Sequence, residues 1–137
     1  MAKSSWRSWV YGGAKNDGRF QSEGVSFVYI LRAPYNLCKI GLSSEPIWRV
    51  RRHRRNCDVP LELICLVRHP RAADLELRLH NHFRKLGRKS PSVDVCLALG
   101  MPYEEQWRQL EWFYLTDADV AWLRSKSTEE VDCVDAQ

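Results

Sequence analysis

Val25-Ser26-Phe27-Val28-Tyr29-Ile30-Leu31, Cys38-Lys39-Ile40-Gly41-Leu42 and Arg49-Val50-Arg51-Arg52-His53-Arg54-Arg55 follow one another with only short breaks, and that succession decides the fold. The first run is rich in β-branched and aromatic residues, which suit a pleated and largely buried strand. Ala33-Pro34-Tyr35-Asn36 turns the chain, because proline and asparagine favour turn backbones. The second run reads as a strand paired to the first. Ser43 or Ser44 followed by Pro46 marks the start of a helix through about Arg55. On that helix Arg49 and His53 are one turn apart and share a face.

These residues resemble the core of the GIY-YIG nuclease family, in the short phage and bacterial branch. The first half-motif stands as Val28-Tyr29-Ile30 and the second as Lys39-Ile40-Gly41, with lysine in place of the usual tyrosine. The family's helical arginine falls eight residues after the second glycine, where Arg49 stands, and some members add a histidine one turn on, at the position of His53. The resemblance implies an α/β (α+β) domain with a small, mainly antiparallel three-stranded sheet flanked by helices.

A chain of 137 residues suits one small domain with a single core. No stretch has the apolar length needed to cross a bilayer, and Lys3, Trp6, Arg7 and Trp9 interrupt any secretory segment, so a cytoplasmic, non-membrane protein is expected. The five cysteines are scattered and lack a C-x-x-C pair, which indicates neither a disulfide framework nor a zinc site. Most read as small core residues.

Charge is strongly partitioned. Residues 47–90 hold 12 Lys or Arg against 4 Asp or Glu, a surplus of eight, whereas residues 91–137 hold 3 against 10, a deficit of seven. A basic middle beside an acidic end points to one surface facing a polyanion. A solvated basic helix is the plain alternative.

Residues 1–24 read as an N-terminal arm or loop with four glycines, whose Trp6 and Trp9 are expected either to pack on the core or to reach toward nucleic acid. The domain itself is expected over 25–126. After a break at Asn56–Pro60, Leu61–Val67 reads as a third strand, and Ala72, Leu75, Leu79, Phe83 and Leu86 give one apolar stripe on a helix from about Arg71 to Leu86. Glu76 borders that stripe, one turn before His80. Residues 87–110 read as a possible insertion, either a surface loop or a partly apolar flap around Val93–Leu99, with a short helix over Tyr103–Leu110. Glu111-Trp112-Phe113-Tyr114-Leu115 resembles the closing strand of the same family branch. Thr116 is placed to cap a last helix from Asp117 to about Lys126, and residues 127–137 read as an acidic, disordered tail.

The resemblance also implies a chemistry: metal-dependent hydrolysis of DNA phosphodiesters with Mg²⁺ or Mn²⁺, RNA remaining open as a substrate and the state open between monomer and homodimer. Such a reaction needs an activated water and cations where charge develops on the phosphoryl and leaving oxygens. By family position Glu76 is the metal ligand; read alone, it is a boundary carboxylate paired with an arginine. Arg49 offers a rigid donor fork for phosphate oxygens. Tyr29 would take a proton from water, helped by Lys39, which also stands within reach of the phosphate. His53 either orients water or donates to a phosphate oxygen. Arg51, Arg52, Arg54 and Arg55 are candidate nucleic-acid contacts, and His80 a possible neighbour of the metal site. His80 and His82, two apart on a helix, point to different faces and do not form a joint site. The alternative function is a catalytically inactive nucleic-acid-binding module of the same fold.

Overall fold

The computed structural model describes residues 26–101 and 109–131. β1 (Ser26–Ala33) and β2 (Leu37–Ser43) pair antiparallel, with Tyr29 opposite Gly41 and Leu31 opposite Lys39. Their hairpin turns through Pro34–Asn36, where Tyr35 (φ 64°) and Asn36 (φ 56°) take the left-handed conformation. Asparagine tolerates that backbone; tyrosine rarely does. The turn is held from outside, since the Asn36 carbonyl accepts from Leu115 N–H at 3.0 Å and its amide donates to Asp117 at 2.7 Å.

β3 (Glu62–His69) pairs antiparallel with the other side of β1. Cys65 faces Ile30 but Leu63 faces Leu31, so Ile64 is an extra residue in the ladder, a β-bulge. The bulge sends two consecutive residues, Ile64 and Cys65, into one core. β4 (Trp112–Tyr114) pairs with the outer side of β2 over Leu37–Lys39, giving the order β3-β1-β2-β4. The sheet therefore has four strands where three were expected. Three residues are too few for an alternation pattern to mark a sheet member, and only the pairing to β2 defines it.

Both faces of the sheet are covered. One carries Tyr29, Leu31, Leu63 and Trp112 beneath α1 (Pro46–Asn56), whose Val50 points inward. The other carries Val28, Ile30 and Ile40 beneath α2 (Ala72–Lys85), through Leu75, Leu79 and Phe83, and beneath α4 (Asp117–Lys126), through Val120 and Leu123. Burial on two sides explains why β1 is apolar almost without alternation. Truncating a fully buried ring such as Phe83 to alanine would cost about 3–5 kcal/mol.

The last helix starts where its cap requires: Thr116 Oγ1 accepts from Asp119 N–H, and the Asp119 carboxylate accepts from Thr116 N–H, both at 3.0 Å. Burial works against the Asp119 carboxylate, yet hydrogen bonds from Arg88 and Thr116 outweigh it and hold the group below the usual range. Within 87–110, α3 (Val93–Ala98) is a helix capped by Ser92, and its Cys96 enters the core under α1. The expected helix over 103–110 lies mostly outside the described residues, as does the 1–24 arm; Gln109–Glu111 is a 3₁₀ turn.

The expected acidic tail needs a correction at its start. Thr128 and Glu129 N–H groups donate to Leu66 O at 3.0 and 3.2 Å, Ser127 Oγ meets Leu66 N–H at 3.0 Å, and Val131 packs on the core under α1. Hydroxyls that satisfy backbone groups on the outer side of β3 give residues 127–131 a fixed place that their acidity alone would not predict. Residues 132–137 lie outside the described residues.

Candidate functional site

Tyr29 is 1 % exposed, and its ring leans from β1 across β2 onto Gly41. A Cβ at position 41 would lie 2.7 Å from Tyr29 Cε2 and closer still to Cζ and the hydroxyl oxygen. Glycine is thus required by contact, not by backbone conformation. The phenol ends 2.8 Å from His53 Nε2 on α1, with the two rings 5.7 Å apart. That pairing answers part of what the sequence left open: the group on the Tyr29 hydroxyl is His53. Lys39 lies diagonally across the same face and is 1 % exposed, with its ammonium 5.8 Å from the Trp112 ring centroid.

Arg49 is one turn from His53 on the same flank of α1. Its Nε is buried and has no hydrogen-bond partner among the described residues. An unsatisfied guanidinium donor at a buried position costs about 1–3 kcal/mol, and such an orphan in a native fold invites a ligand as its explanation.

On the opposite layer, α2 sends its two flanks to different neighbours. His82 meets the Trp122 ring of α4 at 5.2 Å, while His80 Nε2 lies 3.0 Å from Ile40 O. The pairing of β2 with β4 stops at Lys39, so Ile40 O is the first carbonyl beyond it, and His80 takes the place of the missing strand. Burial pushes the His80 imidazole below its ordinary value, opposed in part by the bond that Nε2 donates to Ile40 O. His80 is therefore a clamp on the sheet edge.

Glu76 shares the His80 flank, about 6 Å nearer the start of α2. Because α2 begins beside the His69 end of the sheet and ends near Lys89, whose carbonyl accepts from Tyr114 N–H, that step moves Glu76 toward the Gly41–Ser43 end of β2. Two pairs, Arg49 with His53 and Glu76 with His80, thus flank one stretch of strand edge from the two layers. Tyr29 lies over it.

The four helical arginines differ. Arg51 and Arg55 are exposed, and Arg52 stacks on Trp48 at 5.6 Å. Arg54 donates Nε to Leu61 O at 3.0 Å, which ties it to the loop before β3. Sequence reasoning passed over Trp48, which is 50 % exposed; a tryptophan set among arginines was the available signal. The four described cysteines, Cys38, Cys57, Cys65 and Cys96, are all buried, and burial pushes the Cys38 and Cys65 thiols up to about 12.

A family model, the T5orf172 domain, matches residues 26–129. The chain belongs to the T5orf172 domain family. That family is phage-associated and has a GIY-YIG-like, nuclease-like fold, and the match spans every strand and helix from β1 to α4. Neither a curated protein nor a solved structure matches the chain. A T5orf172 domain is consistent with a nuclease-like or DNA-binding module. Among the described residues, no helix is long and apolar enough to cross a membrane.

No group of three or more His, Cys, Asp or Glu converges among the described residues, which does not suit a zinc or calcium cage. One partly buried carboxylate, Glu76, beside an open strand edge suits Mg²⁺ or Mn²⁺, which are held by few protein oxygens with water and phosphate completing the shell.

Proposed function

We propose that this T5orf172 domain is a metal-dependent endonuclease of the GIY-YIG type acting on DNA, with Tyr29, His53, Arg49 and Glu76 as its working groups. The observation that carries the reading is the 2.8 Å pair of Tyr29 and His53 over Gly41, with the orphaned Arg49 Nε one helical turn away.

An isolated phenol has a pKa of about 10 and is a poor base at neutral pH. A neutral imidazole accepting at Nε2 removes that obstacle. As the Tyr29 oxygen takes a proton from the attacking water, its own proton moves to His53, and no free phenolate forms. Arg49, whose Nε is already buried, donates to the phosphate oxygens as their charge grows, where a preoriented donor is worth most. Glu76 would hold the Mg²⁺ or Mn²⁺, which supplies charge stabilisation at the phosphoryl and leaving oxygens when bound. Lys39, one diagonal step from Tyr29, adds positive potential under the site; its burial beside Trp112 supports that role over direct contact with phosphate.

A binding module without hydrolysis is the second reading, and it rests on Lys39, an amine buried where the related nucleases carry a second tyrosine. Incubation with supercoiled plasmid in Mg²⁺ or Mn²⁺, against a chelator control, decides between them. Nicking that disappears in chelator and in Glu76→Gln supports the enzyme. Salt-sensitive binding with no metal-dependent nicking supports the module.

A further inference from the structure

The flank of α1 opposite Arg49 and His53 carries Ile47 and Arg51, and beside it opens a groove of about 610 Å³. Its walls are apolar and aromatic, from Phe27, Ile47, Trp48 and Leu66. Each aromatic wall is backed by an arginine outside the lining: Arg52 stacks on Trp48 at 5.6 Å and Arg68 on Phe27 at 5.3 Å. A stacked guanidinium holds a ring in place and leaves a flat apolar surface to the groove. At the rim stand Arg51 and three carboxylates, Glu45, Glu129 and Glu130, the last two brought there by the hydrogen bonds of Thr128 and Glu129 to Leu66 O.

The geometry points to a site for an unpaired DNA base that bears an exocyclic amine. This rests on the DNA reading above and adds what part of the DNA is recognised. The walls are apolar and aromatic and give a phosphate no donor to sit on, so the occupant is not the backbone. At the rim the Glu45 carboxylate accepts hydrogen bonds from the amines of adenine, cytosine or guanine, with the Glu129 carboxylate held 3.9 Å from Arg68, while the aromatic walls take a base face. Thymine, which has no such amine, is the poorer occupant.

A strand leaving the Arg49 flank would cross the outer surface of α1, over Arg52 and Arg55, before reaching the groove. A helix is about 10–12 Å across, which about three stacked nucleotides at 3.4 Å each would span. The base captured is then about three nucleotides from the scissile phosphate, and a fully paired duplex cannot deliver it without extrusion.

The test is fluorescence anisotropy of the full chain in chelator, with an end-labelled duplex and the same duplex carrying a three-nucleotide cytosine or thymine gap-strand. The native chain should bind the cytosine-containing unpaired form about tenfold tighter than the paired one, and the thymine form less so. Trp48→Ala should abolish the preference while leaving affinity for the paired duplex and its salt slope unchanged; Trp48→Phe, which keeps a flat ring, should restore most of it. Equal affinity for paired and unpaired DNA, or a Trp48→Ala loss of the same factor on both, overturns the base site while leaving the nuclease reading in place. Absence of salt-sensitive binding to any of these DNAs overturns the DNA reading itself.

Discussion

Gly41→Ala gives the sharpest test of how the site is built. The added Cβ would sit 2.7 Å from Tyr29 Cε2, about 0.7 Å inside the 3.4 Å at which ordinary contact begins, and the overlap is worse at Cζ and the hydroxyl. Neither partner yields easily: β1 is paired on both sides, and the Tyr29 ring is 1 % exposed. The ring must swing away from His53. Overpacking of that kind costs about 1–3 kcal/mol, and the lost Tyr29–His53 hydrogen bond adds about 0.5–1.5 kcal/mol. The expected destabilisation is then roughly 1.5–4.5 kcal/mol, read from the denaturant midpoint at unchanged m-value. The control is the same substitution in a Tyr29→Leu background. All three of the nearest atoms belong to the distal ring and hydroxyl, which leucine lacks, so the clash disappears. There Gly41→Ala should be neutral or stabilise by about 0.5–1 kcal/mol, because alanine loses less backbone entropy in a strand. The double-mutant cycle therefore carries a coupling of at least about 1.5 kcal/mol. Equal costs in both backgrounds, or an unshifted midpoint for the single variant, would refute the crossing of Tyr29 over Gly41. If hydrolysis uses the Tyr29–His53 relay, Gly41→Ala should also lower the nicking rate about 10²- to 10⁴-fold.

Glu76→Gln should lose metal-dependent nicking while binding DNA normally in chelator; retained nicking would remove the proposed metal ligand. Arg49→Ala should lose at least about tenfold more turnover than Arg55→Ala, since one side chain has its Nε buried one turn from His53 and the other is exposed; similar small losses would reduce the helix to a source of potential. Arg54→Ala should lower stability through Leu61 O by about 1 kcal/mol with turnover per folded molecule unchanged, and a selective loss of turnover would contradict its structural assignment. Stability should fall as pH drops from about 7 toward 5. His69, His80 and His82 are all held below their ordinary value of 6.5, mainly by burial, so the unfolded chain takes up protons first and the folded state is progressively disfavoured. A midpoint that does not change across that window contradicts the burial of these rings. Further loss below about pH 4 belongs to Glu62 and Asp119, whose carboxylates are held low against burial by arginine partners.

Much of this was legible in the residues because it is local. The β-branched run at 26–33, the Pro46 start of the basic helix, the stripe of Leu75, Leu79 and Phe83, and the Thr116 cap each follow from propensity, periodicity or hydrogen-bond chemistry within a few residues. Arg49 and His53 could be set on one flank by counting, and the motif resemblance singled out Tyr29, Lys39 and Glu76. What counting could not supply were relations between distant segments. The fourth strand exists only by pairing with β2, His80 acts on a carbonyl forty residues away, and residues 127–131 are ordered by the outer side of β3. The partner of Tyr29 turned out to be His53 because the register sets a glycine opposite the ring and lets it cross to α1, a fact of three dimensions. By itself the sequence determined the elements and the residues capable of chemistry, since side-chain type and spacing act over one or two turns. Only the tertiary structure decided which of those residues meet, because that depends on strand register and helix placement, which are set by packing across the whole sheet.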